Sequence, residues 1–131
     1  MLKHDAVLGR VKAYLKANGF EVGTRSFGQD RLDAAGVRKS ELIIVEAKMI
    51  KEGAGRLQAR EGLGQLLEYS WFFREGDRKA SRKHELWLAF SARPGHGVVR
   101  FLTSQDILVS WPSKHGLSFF RHPVFTTKSQ G

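Results

Sequence analysis

The sequence predicts a single α/β domain, a mixed β-sheet with helices on its faces. Three stretches carry that expectation. Leu42-Ile43-Ile44-Val45 is a continuous apolar, β-branched run, the pattern of a strand buried on both faces. Leu63, Leu66, Leu67, Ser70 and Phe73 recur at helical spacing and mark one long amphipathic helix. Glu85 to Ser91 is a second buried strand. A strand, a long helix and a strand in succession imply a crossover that returns the second strand parallel to the first. The chain has 131 residues, of which 41% are hydrophobic, enough for one core and one domain.

In chain order, Val7, Leu8, Val11, Tyr14 and Leu15 predict a first helix over about His4 to Asn18, stopped by Asn18-Gly19. Phe20 to Phe27 alternates as a strand, and Gly28-Gln29-Asp30 reads as a turn. Arg31 to Val37 is the next short strand, with Asp33 inside it. Arg38-Lys39-Ser40 turns the chain into the strongest strand, Glu41 to Ile50. These strands, joined by short turns, form an antiparallel meander. Gly53 to Gly55 reads as a flexible link to the long helix, Arg56 to Phe73. Gly62 and Gly64 weaken that helix by about 1 kcal/mol each relative to alanine. Arg74 to His84 is a polar, basic loop. After the turn at Pro94-Gly95-His96-Gly97, Val98 to Leu102 reads as a strand. A short helix over Gln105 to Ser110, capped by Thr103 or Ser104, follows, then a last strand over Leu117 to Arg121. The core thus spans about residues 4–91, with a small appendix over 92–131.

Charge narrows the partners. There are 22 Lys and Arg against 13 Asp and Glu, a net charge of +9, which suits a polyanion such as nucleic acid. Cysteine is absent, which excludes disulfides, thiolate metal sites and a cysteine nucleophile, and fits a reducing, cytoplasmic setting. No apolar run is long enough to span a membrane, and Lys3, His4, Asp5 and Arg10 break up any secretory h-region. No phosphate-binding Gly-Lys-Ser/Thr loop is present. The five histidines lack metal-ligand spacing, and nothing suggests a serine hydrolase triad.

The chemistry concentrates in the apolar strands. Glu46 and Lys48 lie two residues apart and leave the same face. Burying them costs several kcal/mol unless each finds a partner or an ion. If the strand carrying Asp33 lies beside that of Glu46, the two carboxylates converge on one divalent cation. Hard oxygen ligands favour Mg²⁺ or Mn²⁺, and Lys48 then stands where it can orient a water and offset phosphate charge. The plainer alternative is an ion pair on an exposed edge strand, with Asp33 in a turn. Gln65 and Tyr69 share a helix face beside the leucine stripe.

Taken in order, Leu32-Asp33, Val45-Glu46-Ala47-Lys48 and Gln65-Leu66-Leu67-Glu68-Tyr69 resemble the PD-(D/E)XK nuclease superfamily, the restriction-endonuclease-like fold. The last motif resembles the Gln-x-x-x-Tyr signature of its RecB-like and Cas4-like branch. The resemblance covers about residues 4–91 and implies a Mg²⁺-dependent enzyme that hydrolyses DNA phosphodiesters. It implies Asp33 and Glu46 as metal ligands and Lys48 as the water-organising base. Gln65 and Tyr69 would flank the site and steady Lys48 or the nucleic-acid backbone. Leu32 stands where the family has Pro, and no cysteine is present for the iron–sulfur cluster of some members. Many members carry an acid in the first helix; here that helix offers Asp5 with His4 beside it, neither at the position expected by counting back from Gly19-Phe20.

Size and charge also resemble archaeal Holliday-junction resolvases of the same fold, which gives an alternative substrate. A non-catalytic nucleic-acid-binding module and a subunit of a larger nuclease are further readings, and a homodimer is left open. Arg74, Arg78, Lys79, Arg82 and Lys83 after the long helix, and Arg93, Arg100, Lys114, Arg121 and Lys128 further on, are candidates for a DNA surface. Trp71, Phe72 and Phe73 are expected in the core. Trp111 and Phe119-Phe120 are candidates for base stacking or a dimer interface.

Overall fold

The computed structural model describes residues 2–23, 26–27, 30–76, 83–121 and 123. Helix α1 (His4–Ala17) leads into β1 (Glu21–Gly23), the short strands β2 (Ser26–Phe27) and β3 (Asp30–Arg31), β4 (Ala34–Arg38) and β5 (Glu41–Lys48). Helix α2 (Arg56–Gly76), β6 (Lys83–Phe90), α3 (His96–Ser104), β7 (Ile107–Pro112) and β8 (Leu117–Phe119) follow. Six strands form one sheet in the order β1-β4-β5-β6-β7-β8, and β2 and β3 pair separately. The β1–β4–β5 meander is antiparallel, β5–β6–β7 is parallel, and β8 closes the edge antiparallel. Among the described residues no helix is long and apolar enough to cross a membrane.

Side-chain alternation along β5 divides the core into two layers. Ile43, Val45 and Ala47 join Trp87 and Ala89 beneath the α1 stripe of Val7, Leu8, Val11 and Leu15. Leu42 and Ile44 join Leu88 and Phe90 beneath α2 and α3. Trp87 is fully buried, and its indole N–H donates to Ser110 Oγ at 2.8 Å. Arg10 donates to the carbonyls of Ser113 and Gly116, at 2.7 and 2.9 Å, and so ties the β7–β8 hairpin to α1. Residues beyond 92 therefore add a helix and two strands to the same sheet.

Several elements differ from the sequence expectation. Asp33 does not lie within a strand: it forms the bend between β3 and β4. Its Oδ2 accepts the Ala47 N–H at 2.9 Å, so a carboxylate stands in for a ladder carbonyl there. Residues 98–102 are helical, and residues 107–110 belong to a strand, the reverse of the expected pair. Five apolar-rich residues fit either period. Val99 and Leu102, three apart, are the buried side chains of α3, while Ile107 and Val109 alternate inward from β7. Thr103 therefore caps no following helix; its hydroxyl donates back to the Val99 carbonyl at 2.8 Å.

Gly53-Ala54-Gly55 is a bonded loop rather than a loose link. Gly53 N–H donates to the Arg93 carbonyl at 2.8 Å and Gly95 N–H to that of Ala54 at 3.0 Å. Positive φ at Gly53 (79°) and Gly55 (111°) makes glycine the natural residue at both.

On α2, Leu66, Tyr69 and Ser70 are buried, whereas Leu67 is 53% exposed and leaves the expected stripe. Trp71 and Phe72 also face outward, against the expectation of core; Phe73 packs against the core. Helix α2 crosses the sheet closely at Gly62, where a Cβ would come within 2.4 Å of Leu88 Cδ2. Leu88 is fully buried, so it has little room to yield. Gly62→Ala should lower stability by about 1–2 kcal/mol despite its better helix propensity. Gly9→Ala, where a Cβ would meet nothing within 4 Å, should raise it by up to about 1 kcal/mol. Urea melts of the two variants give both signs.

Candidate active site

The β4–β5 register sets the geometry of the site. Ala34 pairs with Val45, so the next step outward places Asp33 beside Glu46. Glu46 is only 5% exposed although it is ionisable. Burial pushes its carboxyl up to about 7; the facing charge of Asp33 adds to the rise, and the Lys48 ammonium opposes it. Two carboxylates thus crowd one end of the sheet, with a cation two residues along the same strand face.

Two further side chains close around them. His4, at the first turn of α1, brings Nε2 to 3.4 Å from Asp33 Oδ2, an ion pair when the imidazole is protonated. Lys48 Nζ donates to Glu61 Oε1 of α2 at 2.6 Å. That bond holds the Glu61 carboxyl below its ordinary range. Neither His4 nor Glu61 was assigned a role from sequence. The signal for His4 was present: it lies four residues before Leu8, seven before Val11 and eleven before Leu15, on the buried face of α1. The helix docks by that apolar stripe, which carries His4 to Asp33. Glu61 lies one turn before Gln65 on the same helix face.

Helix α2 runs back along the sheet against the direction of β5. Four helical residues and two strand residues both span about 6 Å. One turn from Glu61 therefore carries Gln65 to the level of Glu46. Gln65 Oε1 is the one buried side-chain acceptor without a hydrogen-bond partner among the described residues. A further turn carries Tyr69 to the level of Ile44, where it is buried in the apolar cluster with Leu32, Ala35 and Leu42. The structure thus brings Asp33, Glu46 and Lys48 to one end of the sheet, sets Gln65 one helical turn from the Lys48 partner Glu61, and places the Tyr69 ring in the core.

Among the described residues no group of three or more His, Cys, Asp or Glu side chains could hold a metal ion. The donor set is a carboxylate pair, which suits a hard divalent cation that keeps several waters and takes further oxygens from a phosphate. Buried Glu46, its carboxyl raised by burial and by the facing charge of Asp33, is the observation that fits such an ion, whose charge would favour the ionised form of Glu46. The rim beside them is firm. Ser91 Oγ accepts the Ile50 N–H at 2.8 Å and donates to the Ile50 carbonyl at 3.1 Å, which joins the ends of β5 and β6.

The candidate basic and aromatic residues are described only in part. Arg93 lies over the Trp111 ring at 5.7 Å and Arg121 over that of Phe120 at 5.8 Å. Phe119 is no stacking platform: it packs on Tyr14 and Trp87, with ring centroids at 5.1 and 5.2 Å. Arg74, Lys83, Arg100 and Lys114 are exposed. Arg78, Lys79, Arg82 and Lys128 lie outside the described residues.

No protein-family model and no curated protein matches the sequence. Solved structures do match its fold. A protein of unknown function, AF1548, superposes with a TM-score of 0.57 at 17% identity over 84% of this chain, which spans 61% of that protein's length. An XisH family protein from Nostoc punctiforme gives a TM-score of 0.55 at 18% identity, over 89% of this chain and 100% of that one. An fdxN element excision controlling factor protein from Anabaena variabilis gives 0.56 at 18% identity, over 89% of this chain and 99% of that one. At such identities the likeness concerns architecture. The chain is an α/β domain whose six-stranded mixed sheet, flanked by helices, has the restriction-endonuclease-like fold.

Proposed function

We propose that this protein is a metal-dependent deoxyribonuclease that hydrolyses backbone phosphodiesters. The observation that carries the reading is the approach of Asp33, in the bend before β4, to buried Glu46 of β5, with Lys48 on the same strand face as Glu46. The basic surface and a net charge of +9 favour a polyanionic substrate. The likeness to a protein named as an element excision controlling factor fits a DNA-directed role.

In this reading Asp33 and Glu46 would hold Mg²⁺ or Mn²⁺, which when bound would supply Lewis-acid polarisation of the phosphate and a more acidic water. Asp33 is held in place by the Ala47 N–H, which leaves its second oxygen for the ion. Lys48, aimed by Glu61, offers N–H donors to the attacking water and to phosphate charge. Gln65, with its free buried oxygen, accepts from that water. Tyr69 supports this wall of the site from the core rather than touching substrate.

The test is cleavage of labelled linear duplex, single-stranded, circular and four-way-junction DNA with Mg²⁺, with Mn²⁺ and with EDTA. Metal-dependent cutting is the expected result, and a preference for the junction would select resolvase activity. A non-catalytic DNA-binding module is the second reading, favoured by the Lys48–Glu61 ion pair and the small ligand set. Salt-sensitive binding without cutting on every substrate would establish that reading instead.

A further inference from the structure

Four of the large apolar side chains that stand exposed lie on one helix. Leu57, Leu67, Trp71 and Phe72 of α2 are 63%, 53%, 58% and 46% exposed. Isolated exposed apolar residues are ordinary, but a run along one helix marks a surface that meets something. Leu57, Gly64 and Trp71 are spaced seven apart, so the three return to the same side of the helix. Gly64 sits at the centre of this face. A Cβ there would meet nothing within 4 Å, so packing inside the chain does not call for glycine, unlike at Gly62.

The charges about Gly64 are arranged symmetrically. Arg60 lies four residues before it and Glu68 four residues after, both exposed. Neither belongs to an ion pair among the described residues. An antiparallel copy crossing at Gly64 sets each Arg60 opposite Glu68 of the partner subunit, and each Leu57 against Trp71 of the partner subunit. A parallel copy would instead set Arg60 against its own kind, and Glu68 likewise. Helix α2 also exposes Glu61 and Glu75, so with Glu68 its acids equal Arg56, Arg60 and Arg74 in number, a mixed charge that suits a second copy of the same face better than a polyanion.

We propose that the exposed face of α2 is a homodimer interface, with the two α2 helices packed antiparallel and crossing at Gly64. The glycine lets the backbones approach, the leucine and tryptophan cover each other, and two Arg60–Glu68 pairs select the antiparallel arrangement. The proposal does not depend on catalysis. It does place Glu61, the partner of Lys48, at the border of the interface, so the dimer carries one carboxylate pair on each side of its two-fold axis.

The test is sedimentation velocity on the full chain in EDTA over about 1–100 µM. The wild type is expected at twice the 14.8 kDa chain mass. Arg60→Glu and Glu68→Arg should each weaken the dimer at least about tenfold, and the double variant should recover it. Gly64→Gln fills open space, so the subunit should keep its circular dichroism and run as a monomer. A wild type that stays monomeric at the highest concentration overturns the proposal. So does a Gly64→Gln variant that remains dimeric, or a double variant no tighter than the singles.

Discussion

Asp33→Asn, Glu46→Gln and Lys48→Ala are each expected to slow DNA cleavage by about a thousandfold or more, with the fold intact. The figure is typical for removing one group that meets charge developing in a transition state. Asp33→Asn keeps an oxygen that can accept the Ala47 N–H, so the β4–β5 junction survives while one of the two negative charges is lost. Glu46→Gln is close to isosteric in a buried position and removes the other. Lys48→Ala frees Glu61, which is exposed enough to be solvated. The three losses should not add, because in the proposed mechanism one ion and one water depend on all three groups. Single-turnover cleavage, with a thermal melt of each variant as control, checks the expectation. A well-folded variant that keeps a tenth of the wild-type rate removes its residue from the chemistry.

Glu46→Gln should also stabilise the metal-free protein at alkaline pH, by up to about 3 kcal/mol at pH 8. The Glu46 carboxyl is raised from 4.5 to about 7 in the folded chain, first by burial and then by Asp33. Between these values the native state holds a proton that the unfolded chain has released. Wild-type stability therefore falls as pH rises from about 4.5 to about 7 on this account, and the loss is complete above that window. Glutamine does not ionise, so the gain from the substitution should be greatest at pH 8 and vanish near pH 4.5. Denaturant melts of both proteins in EDTA across this range measure the difference. A gain that is flat with pH would assign it to packing instead of to ionisation.

The proposed catalysis and stability thus pull in opposite directions at Glu46. The apolar strand that makes it an expensive place for a charge is the element that holds the carboxylate rigidly beside Asp33. A bound cation would relieve that cost. Added Mg²⁺ is therefore expected to raise the wild-type melting temperature more at pH 8 than at pH 5, and to leave Glu46→Gln nearly unmoved.

The strongest elements were legible because their signals are local. Leu42 to Val45 and Glu85 to Ser91 read as buried strands and fold as β5 and β6, parallel across α2. The short apolar runs after Pro94 were not legible: Val98 to Leu102 fits two periods, and only docking of Val99 and Leu102 against the sheet selects the helix. The outer face of α2 misled for a related reason. Leu67, Trp71 and Phe72 have the composition of core residues, yet the helix buries Leu66, Tyr69 and Ser70 instead.

What the sequence determined by itself was the alternation of strands and helices and the common face of Glu46 and Lys48, since strand and helix periods are properties of adjacent residues. The tertiary structure alone decided the register that sets Asp33 beside Glu46, the docking of α1 that brings His4 to Asp33, and the approach of α2 that gives Lys48 its partner Glu61. Those meetings join residues 13 to 29 positions apart. They depend on how layers pack, and on Gly62 letting the helix come close, which no local pattern encodes.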